Sequence, residues 1–321
     1  MVGEFVAIGR INLDVDLRVT SLPKLNDHVI SDEGDITFGG SAANFATQAT
    51  RLGIKTSLFS CVGDDLHGQL CLKEMTKIGV DTSGILVLEN QATGLFVYVH
   101  DEQNNQIVVA KPGANKFLEK RIFEEENIVE TKVIHIAGSF PMMIDRASEM
   151  ATTNGIVLSL DPGRSAENLD FRRILRRTDL LFINKQELKD YFKIGPNESE
   201  LRKFAKTFPG IVVVKMGKEG AIATDGFEYC TSGVFEVPVR NTLGAGDSFA
   251  AGFITAWTRS ENITQALNVA NAVAALTIMH DGAQNGQPSL DQTAKLLREH
   301  NISIDGILKT FKTRTKSKRK R

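Results

Sequence analysis

Apolar and polar residues alternate without interruption along Asn12-Leu13-Asp14-Val15-Asp16-Leu17-Arg18-Val19. In an extended chain Leu13, Val15, Leu17 and Val19 share one face, and Asn12, Asp14, Asp16 and Arg18 share the other. The pattern predicts a strand whose second face is acidic and covers something polar, although an ordinary half-exposed antiparallel strand accounts for Asp16 and Arg18. Just upstream, Phe5-Val6-Ala7-Ile8-Gly9 is a short apolar run, as in a buried strand. The period then changes. Ala42, Phe45, Ala46, Ala49 and Leu52 recur at helical spacing, and Gly53 reads as a stop. Residues 58–62 predict a strand and 64–78 a helix. Residues 94–100 and 106–110 form two β-rich runs around a hairpin loop, with Gly94, Phe96 and Tyr98 on one face. Together with the strand at 12–19 and one near 29–37, they suffice for a small separate sheet.

From residue 131 the pattern is regular strand–helix alternation, with strands expected at 133–137, 156–160, 180–184 and 211–215. Such alternation implies a parallel sheet covered by helices. The ends of these runs carry polar groups: Ser139, Asp161 and Arg164, Asn184 and Glu187, and Lys215. Open parallel sheets bind ligands at those carboxyl ends. An almost wholly apolar helix is expected at 270–279, ahead of the loop His280-Asp281-Gly282-Ala283-Gln284-Asn285-Gly286-Gln287-Pro288.

Composition narrows the class. The 321 residues are 42% hydrophobic and 24% charged, as in a soluble globular protein. No apolar run approaches the roughly 20 residues of a membrane span. The chain enters a strand-like run within a few residues, so no signal peptide is expected. Cys61, Cys71 and Cys230 are few, scattered and odd in number, and Cys61, His67 and Cys71 lack zinc-site spacing. A cytoplasmic location is expected. The net charge of −1 conceals an asymmetry, because residues 309–321 hold eight of the 38 Lys/Arg and no acid. The remainder carries 30 basic against 39 acidic residues, a net charge of −9. The basic segment is expected to be a disordered, solvated tail, with nucleic-acid or anionic-surface contact as its alternative use.

The candidate chemistry centres on Arg240-Asn241-Thr242-Leu243-Gly244-Ala245-Gly246-Asp247-Ser248-Phe249. A strand-like run (Val234, Val237, Val239) precedes it, and Phe249, Phe253, Ile254 and Trp257 follow at helical spacing. Two glycines at a turn into a helix create a concavity of N–H groups to which the helix dipole adds, a good seat for phosphate. An N-capping Asp247 is the plain alternative. A carboxylate beside a phosphate is a poor choice for binding alone, but a sensible one for taking a proton from an attacking hydroxyl. The third glycine of G-x-G-x-x-G is replaced by Phe249, and no P-loop motif occurs.

Asn241-Thr242-Leu243-Gly244-Ala245-Gly246-Asp247 resembles the C-terminal signature D-T-x-G-A-G-D of the ribokinase-like (PfkB) carbohydrate kinases. Gly39-Gly40-Ser41-Ala42-Ala43-Asn44 resembles the same family's N-terminal glycine signature, in the family's order and at its spacing. The likeness covers roughly residues 3 to 300 and departs at Asn241, where the family carries an acid.

The resemblance implies an α/β fold with a large parallel-sheet α/β/α domain and a small β-sheet lid. Residues 1–11, 39–91 and 115–308 would form the large ATP- and substrate-binding domain, and 12–38 and 92–114 the lid. It implies an ATP-dependent kinase acting on a hydroxyl, with Asp247 as base and the Gly244, Ala245 and Gly246 backbone as anion hole. Asn12, Asp14, Gly40, Ser41 and Asn44 would bind the acceptor, with the turn at 112–115 beside it. Asn184, Lys215, Gly217, Gly220, Thr242 and Gly246 would bind ATP, and Asn184 and Glu187 would hold Mg2+ through water. Asn184 and Glu187 fit a helix capping box equally well, and His280 fits packing or an edge contact with the base. A monovalent cation beside the anion hole is uncertain because Asn241 lacks the family's negative charge.

Asp14, Asn12, Gly40 and Asn44 supply no cation, which points to a neutral sugar as acceptor. Phe96 on the lid suggests a nucleoside as the alternative. Partners beyond the small molecule would be a second copy joined through the lid, with no membrane. A catalytically dead sugar- or nucleic-acid-binding protein is disfavoured by the retention of Asp247 with both glycines.

Overall fold

The computed structural model of the chain describes residues 3–103, 105–120, 131–304 and 307. The basic segment at 309–321, and the expectation of disorder there, lie outside the described residues. The chain opens with β1 (Phe5–Gly9), β2 (Asn12–Arg18), β3 (Glu33–Gly39), α1 (Ser41–Arg51), β4 (Thr56–Gly63) and α2 (Leu66–Ile78). Next come β5 (Ile85–Leu88), β6 (Gly94–His100) and β7 (Gln106–Lys111). Strand–helix alternation follows through β8 (Val133–Ala137), α3 (Pro141–Asn154), β9 (Val157–Asp161), the short α4 (Phe171–Ile174), β10 (Leu180–Asn184), α5 (Lys185–Phe192), α6 (Glu198–Ala205) and β11 (Ile211–Lys215). The described chain then runs through β12 (Ala221–Thr224), β13 (Tyr229–Ser232), α7 (Ala245–Ser260), α8 (Ile263–Thr277) and α9 (Leu290–Glu299).

Nine strands form one sheet in the order β13-β12-β11-β10-β9-β8-β1-β4-β5. It is parallel from β11 to β5, and β12 and β13 extend it antiparallel. Burial on both faces explains why the inner strands read as continuous apolar runs. In β1, Phe5 and Ala7 pack into the layer containing α1, α7 and α8, while Val6 and Ile8 pack into the layer containing α3. The register aligns Gly9 with Ala137 and Ala137 with Asp161, and on the next strand pair Asn184 with Lys215. The polar strand ends are thereby gathered on one rim.

The second sheet has four strands in the order β3-β2-β6-β7. Its third strand was expected at 29–37 but spans Glu33–Gly39, because β2 pairs with it from Asn12↔Gly39 to Arg18↔Glu33 and then ends. Residues 29–32 have no partner strand to lie against. The helix expected at 64–78 begins at Leu66, since Asp65 caps it by accepting the Gly68 N–H at 2.9 Å. The apolar helix expected at 270–279 is the end of α8, which starts at Ile263 after the Asn262 cap.

One expected strand is not formed. Residues 233–239 are irregular, although Phe235 is buried and Val237 packs on the core while Val234 and Val239 are exposed. Pro238 has no N–H to give a ladder, and Gly233 weakens the run.

Candidate active site

The site begins at the two glycine turns. Gly40 precedes α1 with φ 96°, and a Cβ there would lie 2.4 Å from the Arg10 carbonyl oxygen. On its neighbour Gly39, a Cβ would lie 1.8 Å from an Asp14 carboxylate oxygen, so the glycine pair lets α1 start hard against β2. Gly244 plays the same part for α7, with φ 72° and a Cβ position 2.5 Å from the Ala283 oxygen. The first turn of α7 therefore presents the Gly246 N–H at its N-terminus, next to Asp247, with the Ala245 N–H held only by a long bond to the Thr242 oxygen.

Asn44 Nδ2 donates to Asp247 Oδ2 at 2.8 Å. The amide of Asn44 is itself oriented, because Gln284 Nε2 donates to its Oδ1 at 3.0 Å. Burial raises the Asp247 pKa to about 7, reinforced by the Asp161 charge and opposed by Asn44, Lys215 and Ser41. On β2, Asn12 Nδ2 donates to Asp14 Oδ1 at 2.5 Å. Burial likewise raises Asp14 to about 7, against the Asn12 hydrogen bond and with help from the charges of Asp247 and Asp16. Two carboxyls from opposite ends of the sequence thus share one poorly solvated pocket, within reach of a single hydroxyl-bearing molecule.

A second group occupies the ends of β9 to β11. Lys215 Nζ donates to Asp161 Oδ2 at 2.5 Å, and the same nitrogen is 3.3 Å from where a Gly246 Cβ would stand. Burial works against the Lys215 charge, but Asp161 and Glu187 outweigh it and hold the ammonium above its ordinary pKa. Lys215 therefore stays a cation beside the N-terminus of α7.

Asn184 and Glu187 form a capping box: Glu187 N–H donates to Asn184 Oδ1 and Asn184 N–H to Glu187 Oε2, both at 2.9 Å. Burial raises the Glu187 pKa, with the Asp161 charge adding to the rise. The box leaves one Glu187 oxygen outside it, and no group of three or more His, Cys, Asp or Glu side chains suited to a metal occurs among the described residues. That donor set fits a magnesium ion held mostly by water and phosphate rather than by a protein cage. Gly217 and Gly220 lie one turn beyond Lys215, where Met216 N–H donates to the Gly220 oxygen at 2.8 Å. Thr242 accepts the Ala245 N–H at 3.4 Å.

Several participants escaped the sequence reading. Asp161 stood out only as a polar strand end, and its pairing with Lys215 depends on register. Asn115, expected only as part of a turn, binds the Ile11 peptide on both sides, accepting its N–H at 3.3 Å and donating to its oxygen at 2.9 Å. Of the two residues expected on a half-exposed strand, Arg18 is exposed and Asp16 is not. Asp16 is 7% exposed and accepts from Asn241 Nδ2 at 3.0 Å, while Arg18 pairs with Asp281 at 3.2 Å. Arg10 was overlooked: its guanidinium lies 5.6 Å from the centre of the Phe140 ring, two residues from Asn12.

Comparison with known proteins agrees with this geometry. The profile of the pfkB family carbohydrate kinases matches residues 3–290. The ATP-dependent ribose-1-phosphate kinase of Halopiger xanaduensis is 32% identical over 92% of this chain and 98% of its own. A nucleoside kinase of Methanothermobacter thermautotrophicus is 27% identical over 91% and 94% of the two chains. Among solved structures, a ribokinase II from E. coli in complex with ATP and Mg2+ superposes with a TM-score of 0.80 at 25% identity, covering 92% of this chain and 99% of the other. The chain belongs to the pfkB family of carbohydrate kinases, ATP-dependent phosphotransferases acting on an alcohol group.

Proposed function

We propose that the protein transfers the γ-phosphoryl group of ATP to a hydroxyl of a small sugar. The observation that carries the reading is the convergence of Asn12, Asp14, Asn44 and Asp247 beside the N-terminus of α7. Asn12 and Asp14 orient the acceptor hydroxyls from β2. Asp247 accepts the proton of the attacking hydroxyl as its oxygen bonds to phosphorus and ADP departs. A base with a pKa near 7 combines a large ionised fraction with useful proton affinity. The first-turn N–H groups of α7 and the Lys215 ammonium face the charge that builds on the transferring group. Magnesium, near Asn184 and Glu187, would neutralise phosphate charge when bound. The four-stranded sheet acts as the lid that excludes water.

The pocket's acids alone favour a neutral sugar. One observation favours a sugar that already carries an anion. Arg10 is exposed, stands two residues before Asn12 and has no carboxylate paired with it among the described residues, so its guanidinium is free to meet a negative group on the acceptor. The relative named a ribose-1-phosphate kinase gives this second reading weight.

The test is a panel of ribose, ribose 1-phosphate and nucleosides, with ADP release measured in the presence of ATP and Mg2+. Turnover of one panel member is expected. If the acceptor is anionic, Arg10→Gln raises its KM by about tenfold or more, the loss of a charged hydrogen bond. A KM unchanged by Arg10→Gln removes the anionic reading. No acceptor-dependent ADP release anywhere in the panel removes the sugar reading.

A further inference from the structure

The loop carrying the anion hole touches the lid at two places. Asn241 Nδ2 donates to Asp16 Oδ2 at 3.0 Å. Asp281 takes both Arg18, at 3.2 Å, and Arg240, at 2.9 Å. The Asn241 contact is the more sheltered of the two. Its partner Asp16 is buried, with its other oxygen 3.4 Å from His100 Nε2 on β6. The orientation of the amide is fixed from both ends, because Asn241 Oδ1 accepts the Leu243 N–H at 2.8 Å. An amide can do both at neutral pH, accepting from the turn and donating to the carboxylate, whereas an ionised carboxylate can only accept. Asparate at 241 would keep the bond to Leu243 and set a second negative charge against Asp16.

These contacts join the two halves of the site. Asp16 lies two residues from Asp14 on the same face of β2, and Asn241 lies three residues before Gly244. Asn241 and Arg240 are anchored behind by the Ile278 oxygen, which accepts both backbone N–H groups, at 3.3 and 2.8 Å. We propose that Asn241 is a positioning residue, tying the acceptor-binding strand to the anion-hole turn through its amide–carboxylate bond with Asp16. It touches neither acceptor nor phosphate, and acts by holding Asp14 in register with Asp247. The same contact spends the 241 side chain on the lid and leaves no carboxylate there for a monovalent cation.

The role in acceptor binding rests on the sugar-kinase reading, and the test separates the two. Three variants are compared with the natural protein: Asn241→Asp, Asp16→Asn, and the double swap, which restores one amide and one carboxylate with the donor reversed. Amide hydrogen exchange along β2 is measured in each, with no acceptor needed. Faster exchange is expected in Asn241→Asp and recovery in the swap, with a smaller change in Asp16→Asn, whose amide oxygen can still accept from Asn241. Kinetically, Asn241→Asp should raise the acceptor KM about ten- to hundredfold, as for a lost hydrogen bond to a charged group, with the ATP KM little changed. The swap should return the acceptor KM to within about threefold of the natural value. A general folding defect would move both KM values together and would not be cured by a second substitution. Unchanged β2 exchange in Asn241→Asp, or no recovery in the swap, overturns the proposal. Failure of the natural protein to use any acceptor overturns the kinase reading and leaves the exchange result to decide whether Asn241 holds the lid.

Discussion

The Asn44 amide meets the Asp247 carboxylate at 2.8 Å across 203 residues of sequence. Each stands in the first turn of a helix entered through a glycine of positive φ, Gly40 for one and Gly244 for the other. The hydrogen bond fixes one Asp247 oxygen and so sets the direction of the carboxyl. It also opposes the rise in pKa that burial imposes. The site thus combines a carboxyl that is ionised in part near neutrality with a neighbour that fixes its direction.

Replacing Asp247 with Asn keeps the shape and removes the proton acceptor. Turnover should fall roughly 10²–10⁴-fold, the usual contribution of a positioned general base, while ATP affinity stays within a fewfold. Steady-state kinetics with equilibrium ATP binding checks this. Near-normal turnover would refute the assignment of Asp247 as base.

The pH profile follows from the same group. Asp247 works only when ionised, and burial holds its pKa at about 7. The acceptor kcat/KM should therefore climb by at least about tenfold per pH unit below that value, more steeply if Asp14 must also be ionised to bind the acceptor, and level off above it. Substituting Asn44 with Ala removes a bond that lowers the pKa, so the rising limb should move to higher pH. A limb that stays fixed, or moves to lower pH, contradicts the arrangement.

Asp14 gives a stability test with a definite sign. Its folded-state pKa of about 7 lies above the ordinary 3.8, so the folded protein holds a proton that the unfolded chain has released. The stability linked to this group is present at low pH and lost as pH rises through 7. Asp14→Asn should accordingly raise Tm by roughly 2–6 °C at pH 8 and by much less near pH 4. Thermal unfolding at both pH values decides it, and an equal gain at each would show that ionisation is not the cause. Acceptor affinity should fall in the same variant, since the ionised carboxylate binds hydroxyls.

These cases show which parts of the molecule could be read from the chain. Both glycine signatures lie in continuous stretches where backbone conformation and chemistry coincide, so Gly40, Asn44, Gly244 and Asp247 were visible together. The acidic face of β2 was visible too, through its period of two. The partner of that face was not. Asp16 meets Asn241 and Arg18 meets Asp281 only because the lid folds over the 240–247 turn, and no local pattern encodes a contact across some 225 residues. Pairing of Lys215 with Asp161 likewise depends on sheet order. The strand expected before the C-terminal signature failed for a local reason, the missing N–H of Pro238.

The Asn184–Glu187 pair serves as a helix cap whatever else it does. Glu187→Gln keeps a carbonyl oxygen able to accept the Asn184 N–H, so Tm should change by no more than about 2 °C. If the pair also orders the magnesium shell, the Mg2+ concentration for half-maximal rate should rise about tenfold, the scale of an outer-shell loss. A titration of rate against Mg2+ at fixed ATP measures it. An unchanged midpoint would assign the pair to capping alone.

The clasp between Asn115 and the Ile11 peptide has a mechanical consequence. Asn115 follows the last lid strand and Ile11 precedes the first, so both ends of the small sheet are pinned at one spot. A sheet held at one spot can swing but not slide. Asn12 sits at the pivot, whereas Arg18 lies at the tip of an arm about 20 Å long, six residues of extended chain away. A swing of about 10° would carry Arg18 some 3–4 Å, by that arm length, and scarcely move Asn12. Opening would therefore part Arg18 from Asp281 and Asp16 from Asn241 first, while Ile11 and Asn12 stay in place at the pivot. The small sheet would thus work as a lever whose fulcrum is the Asn115–Ile11 clasp.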